Sequence, residues 1–284
     1  MEAIKQSEKK LTISCYSINT KKPYLSHIKG FLDFCGNKPE QDKIEDYLYE
    51  LRAKRNYEPS SLNTAKYALI YFFTKVLKQN LIVRLDQIRR EIKNPEYFTQ
   101  EQITQIISAV FNIKHKVLIE IAYGSGLRAN EAISLKWNDI NFEDKVINLR
   151  KGKGSKDRIT ILPEQTIEHL REWQKKQEEY YKSDWIFSSQ ARDYHISHRT
   201  FQLIIKKACK KAGLNVRAFP HKLRHSFATH MMNNGTDTRI IQKVLGHNSI
   251  KSTQRYTHVS NRDIRNLISP LDVISKGKYN EVLR

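Results

Sequence analysis

The sequence predicts a mainly α-helical protein with a small β-sheet, divided into an N-terminal helical domain and a C-terminal mixed α/β domain. Three observations predict it. The first ninety residues repeat apolar positions at helical spacing, with no strand pattern between them. Residues 145–162 alternate apolar and polar side chains on either side of a glycine- and lysine-rich turn, the pattern of a hairpin. Between the two regions, "EIKNPEYFTQEQ" breaks the periodicity at Asn94-Pro95, a turn signal. The expected boundaries are a helical domain over 1–90, a linker over 91–98, a second domain over 99–262 and a C-terminal tail over 263–284.

In the first domain, "NTKKPYLSHIKGFLDFC" places Leu25, Ile28, Leu32 and Cys35 on one helical face, with Asn19 or Thr20 as N-cap. "PEQDKIEDYLYELRAKR" groups Ile44, Leu48 and Leu51. "PSSLNTAKYALIYFFTKVLKQ" opens on a Pro-Ser-Ser capping signal and repeats Leu62, Ala65, Leu69, Phe72 and Val76. "LDQIRREI" supplies a fourth, shorter helix, and four such helices bury a shared core. Past the linker, Thr99 and Gln102 form a capping box that opens a helix. "KHKVLIEIAYGSG" is a second helix that ends at glycine. "KVINLR" and "DRITIL" are the hairpin strands, "PEQTIEHLREWQKKQEEYY" is a long helix with Pro163 near its start, and "WIF" at 185–187 is a third short strand. Helices follow at about 197–212, 220–234, 237–245 and 249–256.

Composition narrows the function. With 39% apolar residues the chain has material for a real core, and a net charge of +20 implies a polyanion partner, nucleic acid or an acidic membrane surface. A membrane-spanning role fares poorly, because no run approaches the roughly 18 apolar residues a spanning helix needs. The start "MEAIKQSEKKLTI" lacks the apolar core of a secretory signal, and the scattered Cys15, Cys35 and Cys209 suggest neither a zinc site nor a disulfide framework. A reduced, cytoplasmic setting fits. Charge is also unevenly placed. Residues 194–262 hold 13 basic residues against one acid, Asp237, and seven of the ten histidines. A surface lying on phosphates excludes carboxylates in this way, whereas a merely solvated basic face would not need to.

Five places carry unusual polar residues, and each has an ordinary reading beside the chemical one. "YGSGLRANEAISL" puts Arg128 after Gly124 and Gly126 at the mouth of a helix, where backbone amides favour an anion. The ordinary alternative is an ion pair with Glu131. "KGKGSK" sets Lys151, Lys153 and Lys156 on a hairpin tip, to grip phosphate or lie in solvent. In "HKLRHSFATH", His221 and Arg224 share a helix face. His221 and His225 have a metal-ligand spacing, but Lys222 stands where a zinc protease needs glutamate. His247, after Gly246, reads alone as a cap, and Tyr256 alone as packing. Together they form a set of guanidinium, ammonium, imidazole and phenol groups. Such cations clamp the nonbridging oxygens of a phosphodiester and favour the phenolate of a nearby tyrosine.

This order of residues resembles the tyrosine recombinase (phage integrase) family, in particular its Xer-like members, the archaeal and bacterial chromosome-dimer resolution recombinases. The resemblance rests on "GSGLRANEAISLKWNDI", "KGKGSKDRITIL" and "PHKLRHSFATHMMNNGTDTRIIQKVLGHNSIKSTQRYTHV". Its spacings are three residues from His221 to Arg224, twenty-three from Arg224 to His247 and nine from His247 to Tyr256. It implies a core-binding, SAM-like N-terminal domain that clamps DNA and a catalytic domain over 99–262. By the same resemblance, Arg128, His221, Arg224 and His247 hold the scissile phosphate. Lys153 acts as general acid for the leaving 5′-hydroxyl, Tyr256 is the nucleophile and Glu131 supports Arg128. The implied partner is double-stranded DNA with an inverted-repeat-like recombination site, bound by a homotetramer across two sites, with no cofactor, no metal and no membrane. Leu267, Ile268, Leu271 and Ile274 of the tail are expected to dock on a neighbouring subunit. A type IB topoisomerase and a non-catalytic DNA-binding regulator are the alternatives.

Overall fold

The structure, a computed structural model, describes residues 2–81, 88, 96–150, 157–190, 194–246 and 267–275. The chain forms two compact units, Met1–Asn94 and Pro95–Arg284.

The first unit contains α1 (Glu2–Ile13), α2 (Ile18–Phe34), α3 (Lys43–Ala53) and α4 (Pro59–Tyr71), the last continuing into a π-helical turn, Phe72–Val76. α1 is not apparent in the sequence pattern, because among its residues only Ser7 and Leu11 are fully buried. The expected apolar faces pack together: Ile28 and Leu32 of α2, Ile44 and Leu51 of α3, and Leu62, Ala65, Leu69, Phe72 and Val76 of the α4 segment. Two capping expectations are corrected. The N-cap of α2 is Ser17, whose hydroxyl accepts from the Thr20 amide at 3.3 Å, so the helix starts earlier than Asn19. α4 starts from Glu58 with Pro59 in its first turn and no side-chain cap; the Ser61 and Leu62 amides donate to the Glu58 carbonyl instead, at 2.9 and 3.0 Å. Of the expected fourth helix, 85–92, only Ile88 is among the described residues, packed against this core.

The second unit opens with α5 (Gln100–Ser108), and the capping box is present: Thr99 Oγ1 accepts from the Gln102 amide at 3.3 Å while Gln102 Oε1 accepts from the Thr99 amide at 3.1 Å. α6 (Ile113–Gly124) runs through the core, followed by the short α7 (Ala129–Ile133) and a 3-10 turn at Trp137–Asp139. The sheet has three antiparallel strands in the order β1 (Ile140–Asn141), β2 (Val146–Leu149) and β3 (Arg158–Ile161). β2 and β3 form the expected hairpin, in register Val146↔Ile161 and Leu149↔Arg158. The third strand is not "WIF" but Ile140–Asn141. Residues 184–186 instead pair with 135–137, through Trp137 N–H to the Asp184 carbonyl and Ile186 N–H to the Leu135 carbonyl, both at 3.0 Å.

Four helices complete the described architecture of this unit before the tail: α8 (Glu164–Tyr180), α9 (His198–Lys211), α10 (Pro220–Asn233) and α11 (Thr238–Leu245). α10 packs on α6, and α11 packs on β3. The tail contributes α12 (Pro270–Ser275), seated on α6, α8 and α10 of its own chain. There Leu271 is buried, Ser269 Oγ donates to the Gly124 carbonyl at 2.7 Å, and Asp272 accepts from the Gln165 amide at 3.2 Å. Leu267 and Ile274 are partly buried against the same core, while Ile268 is exposed. No helix among the described residues is long and apolar enough to cross a membrane.

The α6–α10 contact contains a buried polar pair, Tyr123 Oη and His230 Nδ1, 2.8 Å apart. Burial lowers the His230 imidazole to about 4 from its ordinary 6.5. The unfolded chain therefore takes up a proton that the folded one refuses. Stability should be full above pH 6.5 and should fall by on the order of 2–3 kcal/mol as the pH drops to about 4. Thermal unfolding at stepped pH should show this slope, and His230→Gln should flatten it.

Candidate active site

The site forms where three segments distant in sequence meet. The first is the turn leaving α6. Gly126 sits at φ +63°, where a side chain is strained, and a Cβ there would lie 2.5 Å from Phe227 Cδ1. A Cβ on Gly124 would lie 2.4 Å from Pro163 Cγ. Both glycines therefore serve close packing, against Phe227 and Pro163. The turn delivers Arg128 immediately before α7.

Arg128 is tied to the carboxylate one turn on. Its backbone N–H donates to Glu131 Oε2 and its Nη1 to Glu131 Oε1, each at 2.8 Å. The amide at the helix mouth thus meets a carboxylate of the same chain. Nη2 donates to the Gly246 carbonyl at 2.9 Å, and the side chain remains 42% exposed. The second segment is α10, which carries Arg224. This side chain is only 3% exposed, and it donates to the Gly126 carbonyl at 2.8 Å and the Leu245 carbonyl at 2.7 Å. A guanidinium carries five N–H groups, so these two carbonyls leave it further donor capacity. One arginine thereby fastens the turn after α6 to the end of α11, where Gly246 closes the helix in the left-handed conformation.

The third segment is the start of β3, and it supplies a residue that the sequence does not single out. Arg158 forms a two-pronged ion pair with Glu131: Nη1 to Oε1 at 2.7 Å and Nη2 to Oε2 at 2.9 Å. Its Nε donates to the Val244 carbonyl at 2.9 Å. Arg158 alternates with Ile159 and Ile161 and so reads as an ordinary polar strand position; no local signal marks it. Arg224 approaches the same carboxylate to 4.0 Å. Glu131 is therefore shared by three guanidiniums.

The electrostatics follow from that count. Burial pushes the Glu131 carboxyl up, but the bonds and charge of Arg158, and then those of Arg128, outweigh it and hold the group at about 2. Burial lowers Arg224 to about 10, helped by the like charges of Arg128 and Arg158 and opposed by Glu131. Arg224 therefore stays charged at neutral pH. One carboxylate does not balance the three guanidiniums, and the arrangement suits an anion with several oxygens.

His221 lies in the first turn of α10 and is exposed, with its ring centroid 4.5 Å from that of His225 in an edge-to-face arrangement. His225 is lowered by burial and by the charge of Arg224. Lys222 between them is buried, its ammonium 4.5 Å from the centre of the Phe98 ring and 3.6 Å from Glu96. Among the described residues no group of three or more His, Cys, Asp or Glu could hold a metal ion. The structure thus brings together Arg128, Glu131 and Arg224, adds Arg158, and places His221 one turn before Arg224. Lys153, His247 and Tyr256, with the expected helix over 249–256, lie outside the described residues.

A helical unit followed by a mixed unit whose hairpin, α6 turn and α10 gather arginines is the arrangement that the resemblance to DNA breaking-and-rejoining enzymes implies. The chain belongs to the phage integrase family: residues 96–262 match the Phage integrase family, and residues 4–82 match the phage integrase N-terminal SAM-like domain. It is a site-specific tyrosine recombinase. Tyrosine recombinase XerA of Pyrococcus horikoshii is 33% identical over 267 residues, covering 91% of this chain and 89% of that protein. A crystal structure of XerA recombinase is similar with a TM-score of 0.52 at 29% identity, over 93% of this chain and 96% of that one. XerH recombinase bound to palindromic difH substrate in a post-cleavage complex is similar with a TM-score of 0.67 at 25% identity, over 82% of this chain and 73% of that one. These matches do not favour a type IB topoisomerase or a non-catalytic regulator.

Glu131→Gln removes the one negative charge set among Arg128, Arg158 and Arg224. Denaturant unfolding at pH 7 should show a loss on the order of 3 kcal/mol. Because the folded carboxyl sits at about 2, the wild-type advantage should be full above pH 4.5 and vanish as the pH falls through about 2.

Proposed function

We propose that Tyr256 is the nucleophile of this recombinase, that Arg128, His221, Arg224 and His247 hold the scissile phosphate, and that Lys153 protonates the leaving 5′-hydroxyl. Glu131 keeps Arg128 in place. The observation that carries this reading is the surplus of guanidinium charge around one carboxylate, joined to the end of α11, where Gly246 directly precedes His247. A phosphodiester presents two nonbridging oxygens, and the attack of a phenolate places a further negative charge on them. Fixed cations lower that barrier more than they stabilise the ground state. In the resulting step the Tyr256 oxygen forms a bond to phosphorus as the bond to the 5′-oxygen breaks. The product is a 3′-phosphotyrosyl link and a free 5′-hydroxyl. A 5′-hydroxyl from a second duplex reverses the step and restores the tyrosine. The number of phosphodiester bonds is conserved, so the exchange needs neither ATP nor a metal.

The substrate in this reading is double-stranded DNA with inverted-repeat-like arms. The palindromic difH substrate on which XerH is bound supports that choice. The helical unit grips the duplex together with the catalytic unit, mostly through phosphates. A homotetramer spans two sites, and the work is done in the cytoplasm. The similarity to XerA and XerH supports an Xer-like role in chromosome dimer resolution. Integration and excision of a mobile element use the same chemistry, and footprinting on the host's own DNA distinguishes the two.

A suicide substrate, nicked so that the cleaved strand diffuses away, should trap a covalent protein–DNA adduct. Tyr256→Phe should abolish the adduct and keep DNA binding; an adduct formed by that variant would remove the assignment. Lys153→Ala should slow cleavage of an ordinary substrate by about 100-fold or more and be largely rescued when the leaving oxygen is replaced by sulfur, because a thiolate leaves without a proton. Equal slowing on both substrates would deny Lys153 the role of acid.

A further inference from the structure

We infer that Arg158 is a positioning residue of the recombination site, acting on the scissile phosphate through Glu131 and Arg128 and never by contact with DNA. The inference rests on the function proposed above. All three guanidinium nitrogens of Arg158 are engaged by the protein, two on Glu131 and one on the Val244 carbonyl, and the side chain is only 14% exposed. Arg128 differs. It uses both terminal nitrogens on the protein as well, yet it is 42% exposed and so remains accessible to a ligand.

The bonds of Arg158 join β3 to Glu131 of α7 and to the end of α11. Its strand position, paired with Leu149, lies at the tip end of the hairpin. Its fork fixes both oxygens of Glu131, which in turn fix the backbone and the Nη1 of Arg128. Its Nε holds α11 two residues before Gly246, which accepts from Arg128 Nη2. The carbon stem of Arg158 lies against Gly246 so closely that a Cβ there would meet Arg158 Cδ at 2.8 Å. Without the fork, Glu131 is anchored only by Arg128 and can swing toward Arg224, 4.0 Å away, drawing both cations off the phosphate position. A lysine cannot replace the fork, because an ammonium is a single point charge without the planar two-pronged geometry.

The test uses the full chain with Arg158→Met and Arg158→Lys. Three quantities are measured: DNA affinity by gel shift, the single-turnover rate of adduct formation at saturating suicide substrate, and the pH dependence of that rate. Arg158→Met should bind DNA within about threefold of wild type and form adduct about 100-fold more slowly, the loss that an ångström of misplacement brings. Its rate should also gain an acid limb at higher pH than wild type, because the main group holding Glu131 ionised is gone. Adding Glu131→Gln should remove that limb. Arg158→Lys should lie between, about tenfold slow with unchanged affinity, and it carries the test if the methionine variant does not fold. Wild-type rates in either folded variant would overturn the inference. So would an affinity loss as large as the rate loss, which would put Arg158 on the DNA itself. If the wild-type chain forms no adduct, the proposed function fails first, and the two failures are thereby distinguished.

Discussion

The structure turns on one carboxylate placed among three guanidiniums. Glu131 accepts from the Arg128 amide, from Arg128 Nη1 and from both prongs of Arg158, and Arg224 stands at the edge of contact. A lone buried carboxylate would be costly, and three adjacent guanidiniums would repel one another. Set together they satisfy the acid and leave the cations in excess. That excess suits an anion with several oxygens, while the acid keeps the arginines from separating.

The rest of the catalytic unit holds this cluster in place. α6 and α10 pack so closely that only glycine fits at 126, beneath Phe227, and that turn sets both Arg128 and the carbonyl that Arg224 grips. α11 ends at a left-handed glycine whose carbonyl receives Arg128, with the preceding carbonyl of Leu245 receiving Arg224. Three main-chain carbonyls, on Gly126, Leu245 and Gly246, thus orient the two arginines that resemblance to the family assigns to the phosphate. Backbone geometry here takes the place of a second set of acidic side chains, without adding negative charge near DNA.

Much of this was legible in the sequence, for identifiable reasons. The helices of both units announce themselves because each packs one apolar face, as Leu62, Ala65, Leu69 and Phe72 do. The Thr99–Gln102 capping box and the β2–β3 hairpin are local patterns, and they appear where expected. The pairing of Arg128 with Glu131 is also local, three residues apart. What escaped is non-local or weakly patterned. α1 fully buries just one apolar side chain, Leu11, and so lacks a stripe. "WIF" has strand composition, but its partner is the 135–137 segment and not the hairpin, a choice that no window of sequence contains. Arg158 looks like any polar strand residue, because its partner is 27 positions away.

The bonds that assemble the site are long in sequence. Arg128 reaches Gly246 across 118 residues, Arg224 reaches Gly126 across 98, and Arg158 reaches Val244 across 86. Contacts of such separation demand closure of large loops before they return any stabilisation, so they form late as a chain folds. A ribosome releasing this protein therefore exposes a helical N-terminal unit and a half-made catalytic unit before Arg128 and Arg224 meet the carbonyls of Gly246 and Leu245. The arginine cluster is complete only when residues near 246 have been synthesised and have closed back on the turn at 126. An unfinished polypeptide thus carries Arg128 and Arg224 without the carbonyls of residues 245 and 246 that orient them.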